Sequence, residues 1–356
     1  MTAALTTGTA RDAASDVEAA VVASRRRRTA ARRRTIAVLA VLVVVLLATS
    51  LVVGRTFHPP ADVLRVLLGE DVPGASFTVG RLRLPRAVLA VAAGACFGLG
   101  GVTFQTMLRN PLASPDLIGI STGASAAAAF GIVFLQLSGA QVSVFAITAG
   151  LGVALLIYVL SFRQGVLGTR LVLIGIGVAA MLESVTSYVL SKAPRWELQE
   201  ALRWLSGSLN GAGWREVVPV LVALLVLGPV LLGQSRNLGQ LQLGDDTASA
   251  LGVRVERTRV LLIGSAVALI AFATAAAGPV AFVAFLSGPI ASRILGPRGS
   301  LLVPAAPVGA LLVLVADLVG QFAFGTRYPV GVVTGVLGAP YLVYLIARTN
   351  RAGGSL

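Results

Sequence analysis

Two carboxylates, Glu183 and Asp317, stand inside runs of sequence that otherwise carry no charge. A carboxylate is expensive in hydrocarbon, so such groups face a bundle interior or a water-filled cavity, where they relay protons, line a pathway or hydrogen-bond to neighbours. Asp317, between 311–316 and 318–320, reads as a hydrogen-bonded packing group; for Glu183 the pathway and packing readings both stay open. A third chemically rich stretch is the polar insert 234–259, which carries Leu243-Gly-Asp-Asp-Thr-Ala-Ser-Ala-Leu-Gly-Val253 between two apolar halves. The spacing predicts a short water-exposed helix with Asp245 as its N-cap, Asp246 favourable to its dipole, and Gly252 ending it in the left-handed conformation. A hairpin needs fewer residues than this to turn around in water, so the insert reads as a docking surface.

Other chemistries are excluded by counting. The one cysteine, Cys96, lies in an apolar run, so no intramolecular disulfide or thiol cluster forms. The one histidine, His58, has no second imidazole to complete a metal site, and reads as a solvated loop residue beside Pro59-Pro60. Lys192 is the only lysine and follows no glycine-rich phosphate loop, so the chain is not itself a P-loop ATPase. No metal site, resident cofactor or catalytic set is expected. Energy for any work must come from a partner or a gradient.

The elements that position these residues are membrane helices. Hydrophobic residues make up 56% of the chain and charged ones 12%, and the mean hydropathy is +0.87. Crossing about 30 Å of hydrocarbon takes roughly 20 apolar residues. Residues 35–54, 87–108, 217–235 and 328–347 each supply one span. Residues 117–162 supply two, turning at Ser138-Gly139. Glu183 interrupts a span at 171–191, and Asp317 one at 300–324. The run 260–292 holds a full span to Ala277, then Gly278-Pro279, then a shorter helix. The reading is an all-α polytopic membrane protein of about ten helices.

More of the 29 basic residues fall inside if both termini are cytoplasmic, an excess that comes largely from the tail. Residues 1–34, rich in Ala, Thr, Ser and Arg, read as a disordered cytoplasmic tail that fixes topology; 35–348 form the membrane domain and 349–356 a short cytoplasmic end. The net charge of +14 is accounted for without a nucleic-acid partner. Gly94, Gly98 and Gly101 lie at spacings that let helix backbones approach, which indicates a compact bundle.

Seven motifs in order carry a family resemblance. They are 81–86 (Arg-Leu-Arg-Leu-Pro-Arg), 100–116, 119–124, 204–209, 243–253, 278–283 and 329–340 (Pro-Val-Gly-Val-Val-Thr-Gly-Val-Leu-Gly-Ala-Pro). The set resembles the FecCD-type permeases of ABC importers for iron-siderophores and vitamin B12. The resemblance implies a ten-helix permease that dimerises around a central pathway and receives substrate from an extracytoplasmic binding protein. Two cytosolic ATPase subunits, which hold the ATP and Mg, would drive it. It assigns Leu243, Gly244, Asp245, Asp246, Ala248, Leu251, Gly252 and Val253 to the segment that couples to the ATPase. Because the fifth helix lines the pathway in such permeases, Glu183, Ser184, Ser187 and Tyr188 become pathway candidates. Arg55, Arg65, Arg81, Arg83, Arg195 and Arg203, in outer loops, become candidates for docking the binding protein. The stretch Phe285-Leu-Ser-Gly-Pro-Ile-Ala-Ser-Arg293 departs from the Pro-His or Pro-Gln pattern of many members. It is more similar to the second permease of two-permease ferric-siderophore systems, which implies a heterodimer and a ferric siderophore rather than cobalamin.

Overall fold

The computed structural model describes residues 3–114, 119–161, 168–296 and 299–351. Pro115 and Asp116 of the second motif, and 352–356 of the C-terminal end, lie outside the described residues. Fourteen α-helices follow one another: α1 Ala3–Val52, α2 Pro60–Leu67, α3 Leu84–Met107, α4 Ile120–Val133, α5 Ala140–Ser161, α6 Gly168–Lys192 and α7 Arg195–Leu205. After them come α8 Trp214–Gly233, α9 Ser235–Leu241, α10 Asp245–Ala250, α11 Val255–Ala277, α12 Val283–Leu295, α13 Leu302–Phe322 and α14 Val330–Arg351. A π-helical stretch, Ser76–Arg83, leads directly into α3. Seven helices are long and apolar enough to cross a membrane, and three shorter apolar ones (in α4, α12 and α14) bring the described set to the ten expected. The expected turn at Ser138-Gly139 falls between α4 and α5, with Gly139 at φ +53°.

One boundary differs. Residues 3–34, read as disordered, continue the first helix without a break. Alanine and arginine are among the strongest helix formers, so a chain already helical in the membrane propagates backwards through them at one hydrogen bond per residue. A polar tail without an apolar face says nothing about helix when a nucleus is supplied next door.

The helix α3 is the centre of the bundle. Of its apolar window 89% is buried, against 11% for α1 and for α6, so α3 is enclosed by protein while α1 and α6 keep broad outer faces. Its glycines explain how: Gly94 meets the backbone of α13 at Gly309, Gly98 meets it at Ala305, and Gly101 meets α12 at Ala284. A side chain at any of these would drive the helices apart. Around this axis Leu89, Phe97, Phe104, Leu231, Leu262, Ile270, Val313 and Leu314 form one continuous core with α8, α11 and α13. Gly278, at φ +71°, with Pro279 stops α11, and the chain restarts as α12 four residues later.

Candidate functional site

The polar insert folds as two short helices, α9 and α10, laid against the end of α3. Arg109, just past α3, donates to the Leu241 carbonyl at 2.8 Å, and Leu238, Leu241, Ala248 and Val253 are buried in the main core. The C-terminus of α10 closes as a Schellman motif: the Gly252 amide donates to Ser249 O at 2.9 Å and the Val253 amide to Ala248 O at 3.0 Å. Gly252 takes φ +86°, the left-handed position read from the sequence.

The N-terminus of α10 differs from that reading. Gly244, at φ +109°, is the N-cap, and Asp245 is the first helical residue. Its carboxylate accepts two hydrogen bonds from the Arg259 guanidinium, at 2.7 and 2.8 Å. Both bonds come from one nitrogen, Nη2, which spans the two carboxylate oxygens, and this charged partner fourteen residues ahead outcompetes a local amide because a charge-assisted hydrogen bond is the stronger one. Asp245 therefore ties α10 to the first turns of α11 rather than capping its own helix. Leu243 and Leu251 flank α10 with their side chains more than half exposed, at 62% and 54%.

At 24 residues α3 is about 36 Å long, so its other end lies a membrane's thickness away from this segment. There a cavity of about 610 Å³ is lined by Arg55, Arg81, Arg83, Arg86, Arg327 and Asp317. The docking candidates divide. Arg55, Arg81, Arg195 and Arg203 are exposed and enter no ion pair among the described residues. Arg65 is exposed but paired with Glu70 at 2.6 Å. Arg83 takes part in the structure: it donates to Leu51 O and Val52 O in the last turn of α1, at 2.8 and 3.0 Å, and to Thr56 O in the loop beyond, at 2.6 Å.

Asp317, 3% exposed, is held by Arg86 through Nε at 3.1 and 3.0 Å and Nη2 at 2.7 Å, and by Gln321 Nε2 at 2.7 Å. Arg86 extends the network to Asn210 Oδ1 at 2.5 Å. The packing role read for Asp317 matches this geometry, and the sequence left out its partner, which lies 231 residues away.

Glu183, Ser184, Ser187 and Tyr188 share the exposed side of α6. Ser184 donates to Ala180 O at 2.9 Å, and Lys192 lies 5.8 Å from the centre of the Tyr188 ring. The structure gathers these residues on one face but places them in none of the cavities described. A separate cavity of about 630 Å³ lies between α4, the break before α12, and α14, where Ser121, Thr122, Ser125, Phe282, Phe285 and Leu342 line it.

Residues 41–348 match the FecCD transport family. The chain belongs to the FecCD family. It is 39% identical over 295 residues to the ferric enterobactin transport system permease protein FepG of Escherichia coli (strain K12), covering 82% of this chain and 88% of that one. It is 40% identical over 306 residues to the achromobactin transport system permease protein CbrC of Dickeya dadantii (strain 3937), covering 85% and 88%. Among solved structures it is similar to a metal-chelate type ABC transporter in an inward-facing conformation, with TM-score 0.80 and 26% identity over 89% of this chain and 99% of that one.

As a FecCD permease subunit the chain is a multi-pass membrane protein, and the bare face of α6 is available to lipid or to a second subunit. The α4 hydroxyls and Phe282 were not singled out from sequence, although the close spacing of Ser121, Thr122 and Ser125 and the Gly278-Pro279 break were visible there. Glu183 makes no ion pair among the described residues. Glu183→Gln keeps the shape and much of the hydrogen-bonding capacity, so transport is expected to persist at reduced rate with its pH dependence unchanged. Complete loss in an assembled complex, measured as vesicle uptake, would make Glu183 a proton carrier.

Proposed function

We propose that this FecCD permease carries a ferric siderophore across the cytoplasmic membrane by alternating access, driven by a separate ATPase that grips α9 and α10. The observation that carries the reading is the closed, water-facing α10 with exposed Leu243 and Leu251, tied to α11 by the Asp245–Arg259 pair and to α3 through Arg109. A force applied there reaches two long helices directly. ATP binding draws the ATPases together, the segment moves with them, and rocking of packed helices opens the path to one side.

Siderophore is favoured as cargo because FepG and CbrC, at 39% and 40% identity, are named for ferric enterobactin and achromobactin transport. The siderophore saturates the iron itself, so this chain needs no metal ligands and no cofactor of its own; ATP and Mg belong to the partner. Both termini lie in the cytoplasm, the insert faces the ATPase, and the arginine end faces the binding protein. A second, different permease chain completes the pathway. A proton-driven carrier is disfavoured because Asp317, one of its two required carboxylates, is locked to Arg86.

The test is uptake of a labelled ferric siderophore into vesicles holding the chain with its neighbouring-gene ATPase and second permease. Uptake should require the ATPase and survive a protonophore; transport with no ATPase present would sink the proposal. At the outer face, reversing Arg55, Arg81, Arg195 and Arg203 together to Glu should slow association of the binding protein about tenfold or more and flatten its salt dependence, since such charges act on encounter. Unchanged association kinetics would remove these arginines from the docking face.

A further inference from the structure

Seven arginines stand in ten residues of α1 directly before its apolar run: Arg25, Arg26, Arg27, Arg28, Arg32, Arg33 and Arg34. No acidic residue lies between Glu18 and Asp62. One unbroken helix carries both the arginines and the apolar run, so helical rise fixes how far each arginine stands from the membrane. From Thr35 to its end at Val52 the helix rises about 27 Å, close to the thickness of the hydrocarbon. Arg32, Arg33 and Arg34 therefore lie within about 5 Å of its edge, in the headgroup layer. The other four lie about 10–15 Å from that edge, just past the headgroups and within a Debye length of their charge.

Among the described residues, Arg32 alone of the seven gives its side chain to the protein. Its guanidinium donates to the Ser300 carbonyl and fills the space beside Gly299, where a Cβ would stand 2.6 Å from Arg32 Nη1. This pins α1 to the loop that opens α13. The remaining six arginines are exposed. Arg26 and Arg33 are two turns apart, as are Arg27 and Arg34, so each pair forms a row along one side of the helix. Like charges this close repel one another on a helix, and no neighbouring carboxylate offsets them. Their counter-charge comes from outside the chain.

Position selects its source. A guanidinium matches a phosphate through two parallel hydrogen bonds, and the phosphates at this depth are those of lipid. A single-stranded nucleic-acid site adds aromatic side chains on which bases stack, and residues 1–56 contain none. We propose that Arg25, Arg26, Arg27, Arg28, Arg33 and Arg34 form a collar that binds acidic phospholipid headgroups of the leaflet on the N-terminal side, with Arg32 holding the collar against α13. Arg33 and Arg34 make the direct phosphate contacts, and the outlying four draw the same lipids through their field. Each basic residue beside an acidic surface strengthens such binding about fivefold. The proposal needs only that α1 crosses the membrane, and is independent of the cargo and of the ATPase contact.

The test places the whole importer, with cysteine-free partner subunits, in phosphatidylcholine nanodiscs. A donor dye on Ala30→Cys, exposed within the collar of a Cys96→Ala chain, reports energy transfer to acceptor-labelled acyl chains. The acceptor is carried by dilute phosphatidylglycerol or, at equal mole fraction, by phosphatidylcholine. Phosphatidylglycerol should be enriched at the collar about tenfold or more over phosphatidylcholine. Arg33→Gln with Arg34→Gln, which leaves the other five arginines to orient α1, should cut that enrichment about fivefold or more. Arg26→Gln with Arg27→Gln should cut it less. Inorganic phosphate at constant ionic strength should displace nothing, because a free anion has no acyl chain to hold it in the layer. Equal transfer to the two lipids, unchanged enrichment in the Arg33→Gln, Arg34→Gln chain, or displacement by inorganic phosphate or by a single-stranded RNA at the same ionic strength would each overturn the lipid site.

Discussion

Gly252→Val should abolish ATP-driven uptake while leaving membrane insertion and permease dimerisation intact. The substitution meets no steric obstacle, since a Cβ at Gly252 would lie in open space. Its cost is conformational. At φ +86° a β-branched residue is strained by about 1–3 kcal/mol, and the relief available is to rotate out of the left-handed region. Doing so breaks the two Schellman hydrogen bonds from Gly252 and Val253 and pulls Val253 from its buried seat over Ala248. A six-residue helix has no other reserve of stability. Because the segment lies at the end of the bundle, the damage stays local, and the readout is loss of the ATPase on co-purification together with loss of uptake. Asp245→Ala should weaken both more mildly, now because α10 is released from Arg259 rather than because a cap is lost.

The second large effect belongs to the pair Arg86–Asp317. Removing one partner of a buried ion pair costs about 3–5 kcal/mol because the other charge is left uncompensated. That is a large share of the roughly 5–15 kcal/mol that holds a domain together. Asp317→Ala strands Arg86, whose side chain is 16% exposed; Arg86→Ala strands Asp317 at 3%. Each single variant should lower the thermal midpoint of the purified complex and its yield, with Arg86→Ala the worse because the orphaned carboxylate is the more deeply buried. Arg86→Met with Asp317→Leu should recover most of the loss, as apolar replacements of both partners often do. If the double variant is as unstable as the singles, the pair does more than hold α3 to α13.

The contrast between these two predictions follows what a linear sequence carries. Membrane spans were readable because hydrocarbon imposes length and hydropathy on each helix separately; even the break at Gly278-Pro279 and the turn at Gly139 announce themselves in consecutive residues. Gly252 was readable for the same reason, since a C-terminal cap is a local backbone event. Asp245 was misread as a cap because the winning partner, Arg259, comes from another helix, and the hydrogen bonds that Arg83 gives to carbonyls of α1 are invisible in sequence for the same reason. Arg86 and Asp317 sit in different motifs, and nothing in either names the other. Phe282 looks like an ordinary apolar residue until its left-handed φ of +64° and its contact with Gly338 are known. Helix over 3–34 is the opposite case, a local propensity that was present and outweighed by the polar composition around it.

In the proposed function chemical energy enters the bundle at the polar insert, and cysteine crosslinking reads out that contact. In a Cys96→Ala chain, Asp246→Cys on the exposed side of α10 should crosslink to the co-expressed ATPase in membranes, with a yield that changes when ATP is added. An equally exposed site at the far end, Arg81→Cys, should give no such adduct. An ATPase adduct at residue 81, or none at residue 246 in vesicles that transport, would remove the insert from the ATPase contact.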